Sequence, residues 1–149
     1  MASKTDVYNA VGQALEAACL LEQEIGTSLL ILNALETKSY LSPDADAYAK
    51  LRAAIDRNTL GKALNSIKQQ LSLSSDIETS FSDALDARNQ LVHRFFAEHG
   101  LEISTPQGRD VMLAHVTELH RNLRTTLSLA QDISLKMLIE LSSDLQKQS

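Results

Sequence analysis

From residue 112 to residue 137 the seam positions step along the chain in alternating fours and threes, Met112, Val116, Leu119, Leu123, Thr126, Ala130, Ile133 and Met137, and Leu141 follows four further on. Steps of four and three keep side chains on one side of an α-helix, whereas a half-buried strand needs an alternation of period two. Four such repeats form a heptad-like seam. Thr105-Pro106 precedes the seam, with threonine suited to the N-cap and proline to the first helical position. A helix of roughly 35 residues spans about 50 Å, longer than a small bundle needs. Either the excess packs on a second copy or the helix bends near Asp132-Ile133-Ser134. Whatever fold the chain adopts must accommodate this rod.

The rest of the sequence reads the same way. Only 5 glycines and 2 prolines interrupt the 149 residues, and β-branched alternation is almost absent, so the expectation is an all-α protein. A first helix runs from near Asp6, as N-cap, to about Thr37, with Val7, Val11, Leu15, Ala18, Leu21, Ile25, Leu29 and Leu32 on its stripe. Gly26 lies inside this pattern and weakens it locally. Ser42-Pro43-Asp44 signals a turn, and a short helix follows from about Asp44 to Asp56. Thr59 caps a helix over 60–71 with Leu60, Leu64, Ile67 and Leu71 on one face. After a polar break at 72–75, Ser75 or Asp76 caps a further helix. That helix stops near Glu98-His99-Gly100, where glycine suits the position after a helix. Residues 101–105 then connect in extended form.

A chain of this length supports one domain, 1–149. A net charge of −5 argues against a dedicated duplex-DNA binder, which carries a basic footprint. The single cysteine, Cys19, permits no internal disulfide and fits a reducing cytoplasm. No apolar run approaches a membrane span, and the first residues lack the apolar core of a signal peptide. The expectation is a soluble cytoplasmic protein without a cofactor or metal site.

Chemistry concentrates in the helix over residues 75–99. Wound at about 100° per residue, Phe81, Ala84, Leu85, Leu91, Val92, Phe95 and Phe96 share a broad apolar face with Arg88 near its centre. A guanidinium cannot lose its proton and is costly to bury unpaired. Either an anion meets Arg88 or an acidic residue of the chain does. Glu22 is the candidate, since it falls inside the apolar stripe of the first helix among Ala18, Ile25 and Leu29. Asp86, Asn89 and His93 share a shoulder of the stripe at i, i+3 and i+7, and Asn89 and His93 can touch. On a straight α-helix Arg88 and His93 are about 140° apart. Arginine must curl toward the histidine, or a two-fold-related helix must supply a second pair. Histidine exchanges protons near neutral pH, and arginine holds a phosphate and stabilises charge on its oxygens. Together they suit metal-independent cleavage of RNA, with the 2′-hydroxyl as nucleophile. The competing reading of His93 is a histidine bonded to a backbone carbonyl.

The segment Arg88-Asn89-Gln90-Leu91-Val92-His93-Arg94-Phe95-Phe96 resembles the R-x(4–6)-H signature of the HEPN superfamily, including the polar residue after the arginine. Thr59-Leu60-Gly61-Lys62-Ala63-Leu64 and Leu85-Asp86-Ala87 are similar to segments of some bacterial members. The resemblance implies an all-α up-and-down bundle of four to five helices with a long C-terminal helix, frequently dimeric through the motif helix. It implies a metal-independent endoribonuclease, such as a toxin of a toxin–antitoxin or defence system. The alternative within the superfamily is an inactive module that binds a protein partner, an antitoxin or a transcription regulator. Carried over, Arg88 holds the phosphate, Asn89 is the adjacent polar residue and His93 transfers the proton. Toxins paired with nucleotidyltransferase antitoxins often carry a tyrosine two places after the histidine, and here that place holds Phe95.

Other polar residues read as structural. His99 decorates a helix end. His115 and His120 are five apart rather than at the i, i+4 spacing of a helical zinc pair. Arg94, Arg109, Arg121 and Arg124 are read as solvated charge, the alternative being an RNA path around the motif. Cys19 is expected in the core.

Overall fold

The computed structural model describes residues 1–148 and is an all-α bundle with a long C-terminal helix; no strand occurs among the described residues. Its elements are α1 (Lys4–Thr37), a 3₁₀ turn (Ser39–Leu41), α2 (Ala45–Asp56), α3 (Leu60–Gln70), α4 (Ser75–Asn89), a π-helical turn (Gln90–Arg94), α5 (Phe95–His99), a second 3₁₀ turn (Gly100–Ser104) and α6 (Pro106–Lys147). None of its helices is long and apolar enough to cross a membrane among the described residues.

The chain forms two compact units. The first comprises Met1–Leu21 and Ser75–Leu127, and the second comprises Glu22–Ser74 and the chain from Ser128 onward. Both α1 and α6 therefore contribute to each unit.

The helix starts are made by side chains that satisfy orphan backbone donors. Asp44 Oδ1 accepts from Asp46 N at 3.0 Å and Ala47 N at 3.1 Å. Thr59 Oγ1 accepts from Lys62 N at 3.3 Å, and Thr105 Oγ1 from Gly108 N at 3.0 Å. The start of α1 corrects the sequence reading. Asp6 is not the N-cap; Ser3 and Asp6 form a reciprocal box, Ser3 N donating to Asp6 Oδ2 at 2.7 Å and Asp6 N to Ser3 Oγ at 3.0 Å. Aspartate takes the place that glutamate usually fills in this motif.

In the first unit the core is Val7, Val11, Ala14, Ala17, Ala18 and Leu21 of α1, with Phe81, Ala84, Ala87, Leu91 and Phe95, and Met112, Val116, Leu119, Leu123 and Leu127 of α6. Ala14 rather than Leu15 occupies the core line of α1. Cys19, expected inside, is exposed, and its neighbour Ala18 is buried instead. Small residues let helices approach closely, and the longer side chains turn to the flanks.

The connection over 101–105 is not extended: Gly100–Ser104 coils as a 3₁₀ turn and only Thr105 is extended. Gly100 adopts φ 47°, a conformation that side chains rarely take. Gly108 meets the same turn. A Cβ there would lie 2.1 Å from the Glu102 carbonyl oxygen, so only glycine lets α6 start against this backbone.

In the second unit Ile25, Leu29, Ile31 and Leu32 of α1, Leu60, Ala63, Leu64 and Ile67 of α3, and Ala130 and Met137 of α6 are buried. The α6 seam departs from strict heptad stepping here. Ser134, not Ile133, is buried, and its hydroxyl hydrogen-bonds the buried Ser28 hydroxyl at 2.6 Å. A period of 3.6 drifts against a repeat of seven, and the buried line moves by one residue. The helix runs unbroken through Asp132–Ser134. Beyond that point Leu135, Leu138, Ile139 and Leu145 are exposed. Gly26 gives Ile55 of α2 its seat, since a Cβ would stand 3.2 Å from Ile55 Cγ2.

Candidate functional site

The motif helix is not a straight α-helix. Between Arg88 and His93 it widens into the π turn Gln90–Arg94, closed by a bond from Phe95 N–H to the Gln90 carbonyl, an i→i+5 connection. Such a turn is a one-residue insertion in an α-helix and is frequent at functional sites. Residues five apart then approach the relation that residues four apart have elsewhere, which narrows the angle between Arg88 and His93 from the value of about 140° on a straight α-helix.

The burial pattern carries the mark of that insertion. Ala87, Leu91 and Phe95 are buried, and the His99 side chain is only 9 % exposed. Four-residue steps drift around a pure α-helix by about 40° each; the wider turn absorbs part of this drift and holds the line on the core. The broad apolar face expected from the sequence is therefore corrected. Arg88 does not sit at its centre but at its half-buried edge, Leu85 is half-buried, and Val92 and Phe96 are exposed.

None of the three motif residues is buried. His93 is exposed, and Arg88 and Asn89 are half-buried. Arg88 donates through a guanidinium NH to Asn89 Oδ1 at 3.3 Å and makes further interactions. Glu22 is half-buried on α1 and also engaged. Beside the exposed Phe96 lies Tyr8 of α1, with ring centroids 6.0 Å apart. The motif helix thus carries an exposed apolar ledge of the Tyr8–Phe96 ring pair with Val92, one turn before Phe96 and also exposed.

Behind the π turn is a polar network that sequence reading missed. Glu102 Oε2 lies 2.5 Å from His99 Nδ1; His99 Nε2 lies 2.7 Å from His115 Nδ1; His115 Nε2 lies 3.2 Å from Gln90 Oε1. Gln90 Nε2 donates to Asp86 Oδ2 at 2.7 Å, which fixes the glutamine amide with its oxygen toward the histidine. Arg94 closes the chain, 3.2 Å from Asp86 and 3.8 Å from Glu98. Three of these bonds involve ring nitrogens, and each needs one hydrogen. Phe95 seals the network, its ring centroid 4.6 Å from His99 and 5.4 Å from His115. The network ties Gln90, the first residue of the π turn, to α6. The sequence offered no signal for it, because His99 and His115 belong to different elements and neither carries a motif.

The other cations settle into structural roles or surface positions. Arg109 donates to the Ala2 carbonyl at 2.7 Å and the Ile103 carbonyl at 3.0 Å, tying the N-terminal residues to the start of α6. Arg121 pairs with Glu118, and Arg124 is exposed. No group of three or more histidine, cysteine or acidic side chains is placed to hold a metal ion among the described residues. Comparison of the chain with protein families, with curated proteins and with solved structures finds no match.

Proposed function

We propose that the Arg88–His93 segment is the site of a metal-independent endoribonuclease of HEPN type, acting on unpaired RNA as the toxin of a toxin–antitoxin or defence system. One observation carries the reading: the helix widens into a π turn between the arginine and the histidine. A buried salt-bridge arginine and a stray surface histidine need no such turn. A phosphodiester does need both groups on one side, one to hold its oxygens and one to move a proton.

In this reading Arg88 engages the scissile phosphate and neutralises charge building on its non-bridging oxygens. Asn89 holds the guanidinium from the side, consistent with their 3.3 Å contact. His93, in contact with solvent, removes the proton of the 2′-hydroxyl as that oxygen attacks phosphorus and the 5′-oxygen leaves. The leaving oxygen takes a proton from a second histidine in its imidazolium form, which becomes neutral imidazole. A copy of the chain related by a two-fold axis supplies it, and the ledge of Tyr8, Val92 and Phe96 is the apolar surface available for that pairing. The substrate is unpaired because the 2′-hydroxyl must rotate into line with the leaving oxygen.

Purified protein is expected to cleave single-stranded RNA in EDTA, leaving 2′,3′-cyclic phosphate ends. Arg88→Ala and His93→Ala are each expected to reduce cleavage at least 100-fold with an unchanged helical circular dichroism spectrum. Cleavage that survives both substitutions refutes the assignment.

A second reading rests on the same ledge together with the net charge of −5. Exposed aromatic and aliphatic side chains on an acidic protein suit a protein partner better than a polyanion. The chain is then an inactive HEPN-like module for an antitoxin or transcription regulator. Tyr8→Ala and Phe96→Ala separate the two: loss of partner capture without any RNA cleavage by the parent protein selects this reading.

A further inference from the structure

In the second unit, α2 is a helix without a core. It carries Tyr48, Leu51, Ile55 and five alanines over its 12 residues, yet none of them is buried. Helices of this length are marginal alone and depend on packing of an apolar face. Ile55 packs near Gly26 of α1, but Tyr48 and Leu51 wall a cleft of about 710 Å³ against the end of α1. Leu30, Asn33 and Ala34 form one wall, Tyr48 and Leu51 the other, and Tyr40 with Pro43 the end.

We propose that this cleft binds a neutral, largely apolar small molecule that carries one hydrogen-bonding group. Volume, shape and charge all favour that occupant. Small-molecule sites commonly measure about 300–1,000 Å³ and combine apolar walls with a few polar groups. No cationic side chain lines the cleft. Its one carboxylate, Asp44, is committed to capping α2 through Oδ1, so an anion meets no counter-charge there. The polar handle is Asn33. Its amide makes no hydrogen bond to the described residues and can both donate and accept. Tyr40 lies near the Asp144 carboxylate. The cleft follows Lys38, the single non-glycine residue with positive φ (53°) among the described residues. Backbone of this kind persists where the surroundings over-determine it, ligand clamps among them. The site is independent of Arg88 and His93, which lie in the other unit.

The chain supplies its own reporter. It has no tryptophan and 3 tyrosines, of which Tyr40 and Tyr48 line the cleft. In a Tyr8→Phe background all tyrosine emission comes from this site. Titration with N-phenyl-1-naphthylamine, a neutral aromatic amine, is expected to quench that emission and raise the probe's own, saturating at one probe per chain. Ala47→Phe narrows the cleft from the exposed face of α2, and Ala34→Phe narrows it from α1. Each is expected to weaken binding at least tenfold, and the exposed position of Ala47 keeps that variant folded. The sulfonated analogue 8-anilinonaphthalene-1-sulfonate is expected to bind at least tenfold more weakly than the neutral probe. Three results overturn the proposal: no saturable binding, equal binding by the Ala47→Phe variant, or equal affinity for the anionic probe. Loss of probe binding as protein concentration rises, with formation of a dimer, overturns it in favour of a second copy as occupant.

Discussion

The two units of this chain are built from parts of the same two long helices, yet they are finished differently. In the first, two aromatic side chains, Phe81 and Phe95, are essentially fully buried, and a chain of side-chain hydrogen bonds runs from Glu102 through two histidines to Asp86. In the second, α1, α3 and α6 contribute buried residues, but α2 contributes none. An irregular helix, such as the π turn, survives only where its surroundings hold it. An underpacked helix marks a place where something outside the chain completes the packing. On the two proposals made above, the first unit presents fixed groups to a reaction and the second takes up a ligand.

The sharpest way to break this contrast is to remove one anchor from each unit. Phe95→Ala is expected to destabilise the protein by about 3–5 kcal/mol in denaturant unfolding, because it empties the wall behind the π turn and the histidines. Leu51→Ala, on half-buried α2, is expected to cost about 1 kcal/mol or less. Equal losses would erase the distinction.

Glycine gives a second test. Gly108→Ala drives a Cβ to 2.1 Å from backbone oxygen that cannot yield, and about 1–3 kcal/mol is the expected cost. Gly26→Ala brings a Cβ to 3.2 Å from a side-chain methyl of Ile55. There the helix-propensity gain of about 1 kcal/mol offsets the crowding, so near-neutral stability is expected by the same measurement.

A smaller effect comes from the buried Ser28–Ser134 contact of the second unit. Ser28→Ala or Ser134→Ala strands a buried hydroxyl and is expected to cost about 1–2 kcal/mol. The double variant is expected to recover much of that loss, because no polar group is left unsatisfied.

Protons read the two units at opposite ends of the pH scale. Hydrogen bonds from the Ser3 backbone and side chain hold the Asp6 carboxyl below its ordinary 3.8. The folded state therefore favours the carboxylate. Its contribution is present above pH 3.8 and is lost as pH falls through the lower, folded value. Burial, followed by the charge of Asp144 and a hydrogen bond to it, raises the Tyr40 hydroxyl above 10.0. The folded state favours the protonated phenol, so this contribution is present below pH 10.0 and is lost as pH rises through the higher, folded value. In thermal melts, Ser3→Ala, which removes the hydroxyl bonds and leaves the backbone one, is expected to lower stability above pH 3.8 and make its fall in acid shallower, and Tyr40→Phe is expected to make the alkaline fall shallower.

Much of the fold was legible because helices announce themselves through period and caps. Asp44, Thr59, Thr105 and Pro106 start helices where the sequence places starts, and Gly100 follows a helix end. The misreadings share a physical cause: a stripe of period 3.6 is broader than the line that finally meets the core. Leu15 yields to Ala14, and Ile133 to Ser134, because neighbouring residues on one helix compete for the same contact. At the candidate site, residue types were legible and geometry was not. A π turn adds no distinctive residue, and its trace, the four-residue steps Ala87, Leu91 and Phe95, also fits an ordinary helix. Pairing of His99 with His115 required tertiary structure, since the two lie on different helices.

The central claim is geometric: the π turn swings residues 88 and 93 to one side of the helix. Replacing arginine by a second imidazole measures this without reference to activity. Nickel binding to Arg88→His, followed by isothermal titration, is expected to be at least tenfold tighter than to the parent protein or to Arg88→His/His93→Ala. That gain is the behaviour of two imidazoles gripping one ion. On an unbroken α-helix the two rings would stand about 140° apart and could not share it; nickel affinity equal to that of the controls would contradict the account.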